Sequence, residues 1–395
     1  MKPSFRFLVA ICAAAWLGCS RPAGDSPKDR PADSPAAADV GPDSEGPAGS
    51  ATRTPGPESP TAEPGGSATP EEPGERPAPA NPPAGSSGSS GEAPGDEVEP
   101  ITTEAGLRNA LRAKNPGFAG ELVVQFDPRS GLVQIAAQDP ALKDISPLGH
   151  AQPLIRNLAG SDAAEPGAPE GGPPVAVALA KTDVHNIGPL AEIEGLVVLD
   201  LAKTDVRDLA PLSGKPIREL YLEETEVEDI GPLEGVPLEK LYLSHTKVKD
   251  LGPLKGAPLA ELNIVGTQVS DLSPLEGSWV KMLWFSECPV TDISPLSKVP
   301  LVSVTMENTP VSDLSPLERH PSLRRLHIGR TQVTDLTPIK WLKLTRLIFT
   351  PARIEKGIGF ARDMETLREI GPSFEQRMPP PQFWRMYEAG AFRKK

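Results

Sequence analysis

Hydrophobic and polar positions alternate in a short phrase that recurs about eight times between residues 175 and 349. In the clearest copy Leu241 and Leu243 are separated by one residue, and Thr246 and Asp250 follow at fixed offsets. The period-two spacing of the leucines predicts a short strand with both side chains directed inward. Successive polar slots after the strand lie 21 or 22 residues apart, at Thr182, Thr204, Thr225, Thr246, Thr267, Cys288, Thr309 and Thr331.

A repeat this short cannot enclose a hydrophobic core of its own. Each copy buries its apolar side only against its neighbours, so the pattern predicts a solenoid with one continuous parallel sheet. After the strand, Asp250 precedes Leu251, Gly252 and Pro253, an order typical of a capped 3-10 turn. The same acid recurs at Asp208, Asp229, Asp250, Asp271, Asp292, Asp313 and Asp335. We interpret these carboxylates as turn caps, because the glycine-rich nonapeptide of calcium-binding β-rolls is missing.

The phrase resembles the 22-residue class of leucine-rich repeats of internalin-like surface proteins and phosphatase-regulatory subunits, with Thr in the slot that often holds Asn. The resemblance implies an α/β fold: a right-handed leucine-rich-repeat solenoid, with a parallel β-sheet on the concave face and short 3-10 turns on the convex face. It also implies that the concave face makes protein contacts.

The repeat register predicts about ten to eleven turns over residues 133–355, with a worn repeat and a loop at 154–174. An open solenoid end exposes its core and a strand edge, so both ends require caps. We predict an N-terminal cap of a helix and strands at 101–132, with the helix over 103–114. A helical C-terminal cap at 356–395 is predicted from apolar spacing over 358–370 and 381–389.

Composition separates the first hundred residues from the repeats. Residues 20–100 contain no aromatic residue, Leu, Ile or Met, and they hold 15 Asp and Glu against 5 Lys and Arg. Such a segment cannot bury enough apolar surface to offset its ordering entropy, so it is predicted to be a disordered tether. Most of the formal net charge of −13 lies there. The repeats carry no basic stripe, which argues against nucleic-acid binding.

Residues 1–19 have the pattern of a targeting segment. Lys2 and Arg6 precede an apolar run over 7–17, which is short for a membrane span, and small residues follow up to Cys19. This segment resembles a bacterial lipoprotein signal, which implies export, acylation of Cys19 and a place in the cell envelope, at the outer membrane or facing the periplasm. Contact with the membrane is then expected only through that lipid. Cleavage of an ordinary secretory signal is the alternative.

Candidate chemistry is sparse. The sequence holds no nucleophile elbow, dinucleotide fingerprint or metal-ligand spacing, so we predict no catalytic residue, no cofactor and no metal site. Cys288 occupies a Thr slot of the repeat, which favours a structural role over a reactive thiol.

The outward strand positions carry the strongest functional signal. Large aromatic side chains inside a polar rim are typical of protein-binding hot spots. The residues predicted to contact a partner on the concave face are Tyr221, Tyr242, Trp284, Met282, His245, His327, Arg325, Glu223, Glu224 and Glu287. The sequence therefore favours a non-catalytic, protein-binding envelope module. A regulatory subunit of an envelope enzyme or signalling complex, and a purely structural spacer, are the alternatives.

Overall fold

The computed structural model describes residues 99–119, 121–160 and 172–393. The predicted signal at 1–19, and the predicted tether up to residue 98, lie outside the described residues. Twelve strands form one sheet in chain order: β1 (Leu122–Asp127), β2 (Leu132–Ala137), β3 (Val175–Ala178), β4 (Leu196–Asp200), β5 (Glu219–Tyr221), β6 (Lys240–Tyr242), β7 (Glu261–Asn263), β8 (Met282–Trp284), β9 (Ser303–Thr305), β10 (Arg325–Ile328), β11 (Arg346–Phe349) and β12 (Glu369–Gly371).

All neighbouring strands pair in parallel except β1 and β2, which form an antiparallel hairpin. Leu241 lies between Leu220 and Leu262 in the strand register. All three leucine side chains are fully buried. Burial of each contributes about 1.5–3 kcal/mol, so the core is a ladder of like residues shared between turns.

Short 3-10 turns lie between the strands, at Ser146–His150, Gly188–Glu192, Ala210–Leu212, Gly231–Leu233, Gly252–Leu254, Ser273–Leu275, Ser294–Lys298, Ser315–Leu317, Thr337–Trp341 and Pro351–Arg353. Asp250 Oδ1 accepts the N–H of Gly252 at 2.7 Å, at the start of its turn. The same bond recurs at 2.7–2.8 Å for Asp208, Asp229, Asp271, Asp292, Asp313 and Asp335. The acids therefore satisfy the first N–H of each turn, but from the position before the N-cap, which is Leu251 in this turn and not the predicted Asp250.

The threonine slot satisfies a carbonyl group inside the loop that follows each strand. Thr246 Oγ1 donates to the carbonyl oxygen of Leu243 at 2.8 Å. Equivalent bonds of 2.7–2.9 Å start from Thr182, Thr204, Thr225, Thr267, Thr309 and Thr331. Cys288 instead donates from Sγ to the carbonyl of Ile264 in the preceding turn at 3.0 Å, the same carbonyl that accepts from Thr267. Each bond supplies a side-chain donor to a carbonyl in the loop, and the carbonyls of Leu243 and Ile264 also accept the N–H of the slot threonine.

Helix α1 (Glu104–Lys114) and the β1–β2 hairpin close the N-terminal end of the core. Thr103 caps the helix by accepting the N–H of Gly106 at 3.1 Å, and Leu107 and Leu111 are buried. Asn115 connects this cap to the first turn, because its Nδ2 donates to the Asp144 carbonyl at 2.8 Å.

The prediction of a worn repeat at 154–174 is wrong. Helix α2 (Gln152–Ala159) occupies its first part, and β2 pairs directly with β3 without an intervening strand. Leu154 and Leu158 are four residues apart, which suits one face of a helix, whereas a strand requires strict alternation. Residues 161–171, which include most of the predicted loop, lie outside the described residues.

The C-terminal end combines helices with a further strand. Helix α3 (Ile358–Arg362) is shorter than the predicted helix over 358–370, and β12 then extends the sheet. Leu367 and Ile370 repeat the three-residue spacing of Leu344 and Leu347, and Ile370 lies opposite Leu347 in the register. Repeat stacking therefore outweighs the helical pattern there.

Helix α4 (Pro380–Glu388) lies where a second helix was predicted and seals the last turn. Its Phe383 is fully buried, and the ring centroids of Phe383 and Phe349 are 5.8 Å apart. The core of the repeat array therefore ends against aromatic side chains.

Candidate functional site

The strand side chains that point away from the core form three parallel columns on the concave face. The first column is Glu219, Lys240, Glu261, Met282, Ser303, Arg325, Arg346 and Glu369. The second is Asp200, Tyr221, Tyr242, Asn263, Trp284, Thr305, His327 and Ile348. The third, two residues further on, includes Glu223, Ser244, Val265, Ser286 and Glu307.

Three aromatic side chains of the second column lie in contact across β5 to β8, and we call them the aromatic shelf. The rings of Tyr221 and Tyr242 stack with centroids 5.1 Å apart. Tyr242 and Trp284 are 6.2 Å apart although β7 lies between their strands. Asn263 on β7 lies between Tyr242 and Trp284 in the strand register, and it is buried. The shelf is therefore a continuous aromatic surface in which Tyr242 and Trp284 stay partly exposed.

Carboxylates of the first column hold the tyrosine hydroxyl groups in place. Tyr221 Oη donates to Glu219 at 2.8 Å, and Tyr242 Oη donates to Glu261 at 2.6 Å. Burial, and then the hydrogen bond to Glu261, raise the pKa of Tyr242. Lys240 Nζ donates to the second oxygen of Glu219 at 2.8 Å. Both rings are thus fixed before any partner arrives.

Glu223 is the most perturbed carboxylate on this part of the face. Its Oε2 atom is buried and has no hydrogen-bond partner among the described residues. Burial, with the nearby charges of Asp200 and Glu224, raises the pKa of Glu223 to about 7, against the opposing effects of its own backbone N–H and of Lys203. Lys203 forms a salt bridge with Glu224 instead, at 2.8 Å. Glu223 therefore titrates near neutrality beside the aromatic shelf.

The face over β10 to β12 is covered by residues 372–377, which we call the cap loop. The ring of Phe374 meets the His327 ring edge-on, with centroids 4.6 Å apart. Arg377 Nε reaches Glu369 at 3.4 Å, and the Arg377 guanidinium lies 5.9 Å from the Phe374 ring. Antiparallel hydrogen bonds between Ile370 and Met378 hold the end of this loop against β12.

His327 is consequently inaccessible. It is 2% exposed, and burial lowers its pKa to about 4, although Glu307 at 3.5 Å acts in the opposite direction. A buried neutral histidine presents no charge to a partner. The structure therefore separates His327 from the other predicted partner contacts.

The remaining predicted contacts surround the shelf. Met282 and Arg325 are partly exposed, and Arg325 Nη2 lies 3.6 Å from the Met282 sulfur, across buried Ser303. The rim positions Glu224, His245 and Glu287 are exposed. Tyr221 is 4% exposed and supports the shelf from below the surface.

Sequence reasoning missed the backbone conformation of this rim. The residue before each threonine slot is left-handed, with φ between 55° and 65° at Lys181, Lys203, Glu224, His245, Glu287, Asn308 and Arg330. The same slot holds Gly266, with φ 68°. Glycine and asparagine favour this conformation, so their recurrence in one slot was a usable signal.

Other chemistry is not supported on the part of the chain that the structure describes. Within 99–119, 121–160 and 172–393, no group of three or more His, Cys, Asp and Glu could hold a metal ion. Burial raises the pKa of the Cys288 thiol, which disfavours the reactive thiolate. Over the same ranges, no helix is both long and apolar enough to span a bilayer.

No family model matches the chain, and no curated protein matches it. Among solved structures, the chain is similar to an internalin (inlF) from Listeria monocytogenes, with 20% identity and a TM-score of 0.50, over 62% of this chain and 80% of that one. It is also similar to internalin C2 (inlC2) from the same organism, with 27% identity and a TM-score of 0.43, over 44% of this chain and 79% of that one. The likeness to inlF confirms the predicted leucine-rich-repeat solenoid.

Proposed function

We propose that this chain is a non-catalytic leucine-rich-repeat module that binds a protein partner through the concave face over β5 to β8, which we call the open face. The observation that carries this proposal is the aromatic shelf. Its rings lie in mutual contact on the outer side of the strands, and two of them remain partly exposed. Aromatic side chains that bury large areas with few rotatable bonds are the usual centres of binding energy in protein interfaces.

Preorganisation supports the same proposal. Tyr242 is held by its hydrogen bond to Glu261 and by the neighbouring rings, so binding immobilises little that is still free. Met282 and Arg325 extend the surface towards β10, and Glu223, Glu224, His245 and Glu287 supply the polar rim. Such a rim excludes water from the aromatic centre and adds specificity.

The test places a photoreactive amino acid at exposed rim position 287 in intact cells. The control position is 255, which is also exposed but directly follows a 3-10 turn. A crosslinked protein from position 287 and not from 255 is expected. Equal crosslinking from both positions, or none from 287, contradicts the proposal.

The captured partner then permits a quantitative test. Tyr242→Ala is expected to weaken its affinity by about 2 kcal/mol, or roughly thirtyfold, whereas Lys255→Ala leaves it unchanged. If the partner is an enzyme, its activity with and without this chain distinguishes a regulatory subunit from a simple binding module. Unchanged affinity after loss of Tyr242, and of Trp284 in a second variant, favours the structural spacer.

We further propose that the chain is exported to the cell envelope and anchored by a lipid on Cys19, with residues 20–100 as a flexible tether. The basic start, the apolar run and the small residues before Cys19 support this assignment, as does the Pro-rich acidic composition that follows. A flexible coil of this length has a root-mean-square reach of about 50 Å. Mass spectrometry of the N-terminus is expected to find an acylated Cys19, and an unmodified chain with a different start rules out the anchor.

A further inference from the structure

A cavity of about 410 Å³ is lined by the segments that lead into β10 and β11. It is lined by Arg319, His320, Pro321, Arg324, Trp341 and Lys343. We call it the basic cavity, because three of its six lining residues carry a fixed positive charge. Its size falls within the usual range for small-molecule sites.

The cations are oriented by contacts that do not neutralise their charge. The ring of Trp341, 54% exposed, lies 5.2 Å from the Arg319 guanidinium and 4.7 Å from Lys340 Nζ. Arg324 Nη1 donates to the carbonyl oxygens of Leu323 and Pro321, at 3.0 and 3.3 Å. An aromatic face or a carbonyl oxygen orients a cation without neutralising it.

Carboxylates contribute little to this cluster. Among the lining residues in the described ranges, Arg319 forms a salt bridge. Its Nε atom lies 3.7 Å from Oε1 of Glu318, and both side chains are exposed. A long, exposed pair of this kind provides weak screening. The lining therefore retains most of its positive charge.

The backbone at Arg319 keeps the conformation of the repeat, but its residue type departs from that of the earlier turns. Arg319 is left-handed, with φ 58°, and the equivalent residue of four earlier turns is a glycine with φ between 68° and 82°: Gly214, Gly235, Gly256 and Gly277. A Cβ atom added at any of those glycines meets no atom within 4 Å, so the conformation itself is what favours glycine. An arginine in this slot is therefore a local conformational cost at the edge of the basic cavity.

His320 gives the cavity a rigid, uncharged wall. It is 5% exposed, and its Nε2 atom lies 2.7 Å from the Val299 carbonyl oxygen, to which it donates. Burial lowers the pKa of His320, so the ring stays neutral at neutral pH. The positive charge of the cavity thus comes from the arginines and lysines alone.

We propose that the basic cavity binds a phosphate group. Guanidinium groups donate paired hydrogen bonds to phosphate oxygens, and several cations around one cavity match a doubly charged oxyanion better than a single carboxylate. Inorganic phosphate and the headgroup of an anionic phospholipid share this chemistry. The site lies apart from the open face and does not depend on the proposed protein partner.

The test uses the full chain with its five tryptophans labelled with ¹⁵N, and Trp341→Phe assigns the indole signal of Trp341. Sodium phosphate is titrated against sodium chloride at equal ionic strength. A saturable shift of the Trp341 signal is expected, with no shift at Trp279, which is 70% exposed and does not line the cavity. Arg319→Gly and Arg324→Gln are each expected to weaken binding about tenfold. Lys255→Gln, an exposed cation after another turn, is the matched control.

Arg319→Gly also separates binding from folding. Because glycine occupies this slot in four other turns, the variant is expected to keep the unfolding midpoint of the parent chain. A shift that does not saturate below about 50 mM, that chloride reproduces, or that survives Arg319→Gly overturns the proposal. Vesicles of phosphatidylglycerol, compared with phosphatidylcholine, identify the source. Broadening of the Trp341 signal by the former alone assigns a lipid headgroup, and a response to inorganic phosphate alone assigns a soluble ligand.

Discussion

The two ends of the concave face are built from the same strand columns but are completed differently. Over β10 to β12 the chain covers its own sheet, because Phe374 of the cap loop packs on His327 and Arg377 pairs with Glu369. Over β5 to β8 the aromatic shelf keeps Tyr242 and Trp284 partly exposed. An outward ring on a repeat strand therefore does not by itself define a binding surface, since part of the chain distant in sequence decides whether the ring is covered.

The largest expected effect is a loss of stability at low pH that originates at His327, beneath the cap loop. The folded chain keeps His327 neutral down to a pKa of about 4, whereas the unfolded chain protonates it near 6.5. Stability is thus present above pH 6.5 and is lost as pH falls towards 4, by on the order of 3 kcal/mol. Urea unfolding at pH 7 and pH 4.5 is expected to show a smaller loss in His327→Gln than in the parent chain. An equal effect from His245→Gln, at an exposed histidine, contradicts this assignment.

The stability contributed by the open face is expected to depend on pH in the opposite direction. Since burial raises the pKa of Glu223 from 4.5 to about 7, its contribution to stability is present below pH 4.5 and is lost as pH rises through 7. Because the side chain is partly exposed, the loss is on the order of 2 kcal/mol. Glu223→Gln is expected to be more stable than the parent chain at pH 8 and equally stable at pH 4.5 in urea unfolding. Glu228→Gln, on the exposed loop, serves as the control and is expected to show no such gain.

Removal of the Phe374 ring is expected to expose the covered end of the concave face, as the open face is exposed. Phe374→Ala is expected to destabilise the chain by about 1–2 kcal/mol, because the ring is only partly buried, and to return the pKa of His327 towards its ordinary value. NMR titration of the His327 ring measures that change. A pKa that stays near 4 in the variant shows that the cap loop does not exclude water from this histidine.

The smallest expected effect concerns the hydroxyl group that fixes the shelf. Tyr242→Phe removes the hydrogen bond to Glu261 and is expected to cost about 1 kcal/mol in unfolding free energy. Tyr387→Phe is the matched control, because that tyrosine lies in the C-terminal helix. Equal losses in both variants contradict a specific role for the Glu261 bond.

The regular part of the fold was predictable because each turn repeats the same local demands. The leucine spacing around Leu241 predicted a strand, Thr246 marked the loop that needs a buried donor, and Asp250 marked the capped turn. These are short-range relations, so the sequence contains them in full. Helix α2 and strand β12 were mispredicted because a few apolar residues fit both a helix and a strand, and stacking on the neighbouring turn decides between them.

The candidate site was predictable in position but not in accessibility. Strand alternation placed Tyr242, Trp284 and His327 on the outer side of the sheet, as the registers show. It gave no sign that Phe374, 47 residues after His327, returns to cover that histidine. The raised pKa of Glu223 was equally hidden, because it depends on burial by adjacent turns.

Some hydrogen bonds join a donor and an acceptor of the same turn, and this affects how a repeat array can change in length. Thr246 bonds to Leu243, and Asp250 bonds to Gly252, so these partners travel together when a segment is copied or excised. Duplication or deletion of 21 residues between equivalent slots keeps these two bonds intact, and the flanking leucines meet a new neighbour of the same shape. Array length, and with it the extent of the concave face, can therefore diversify without redesign of the individual turn.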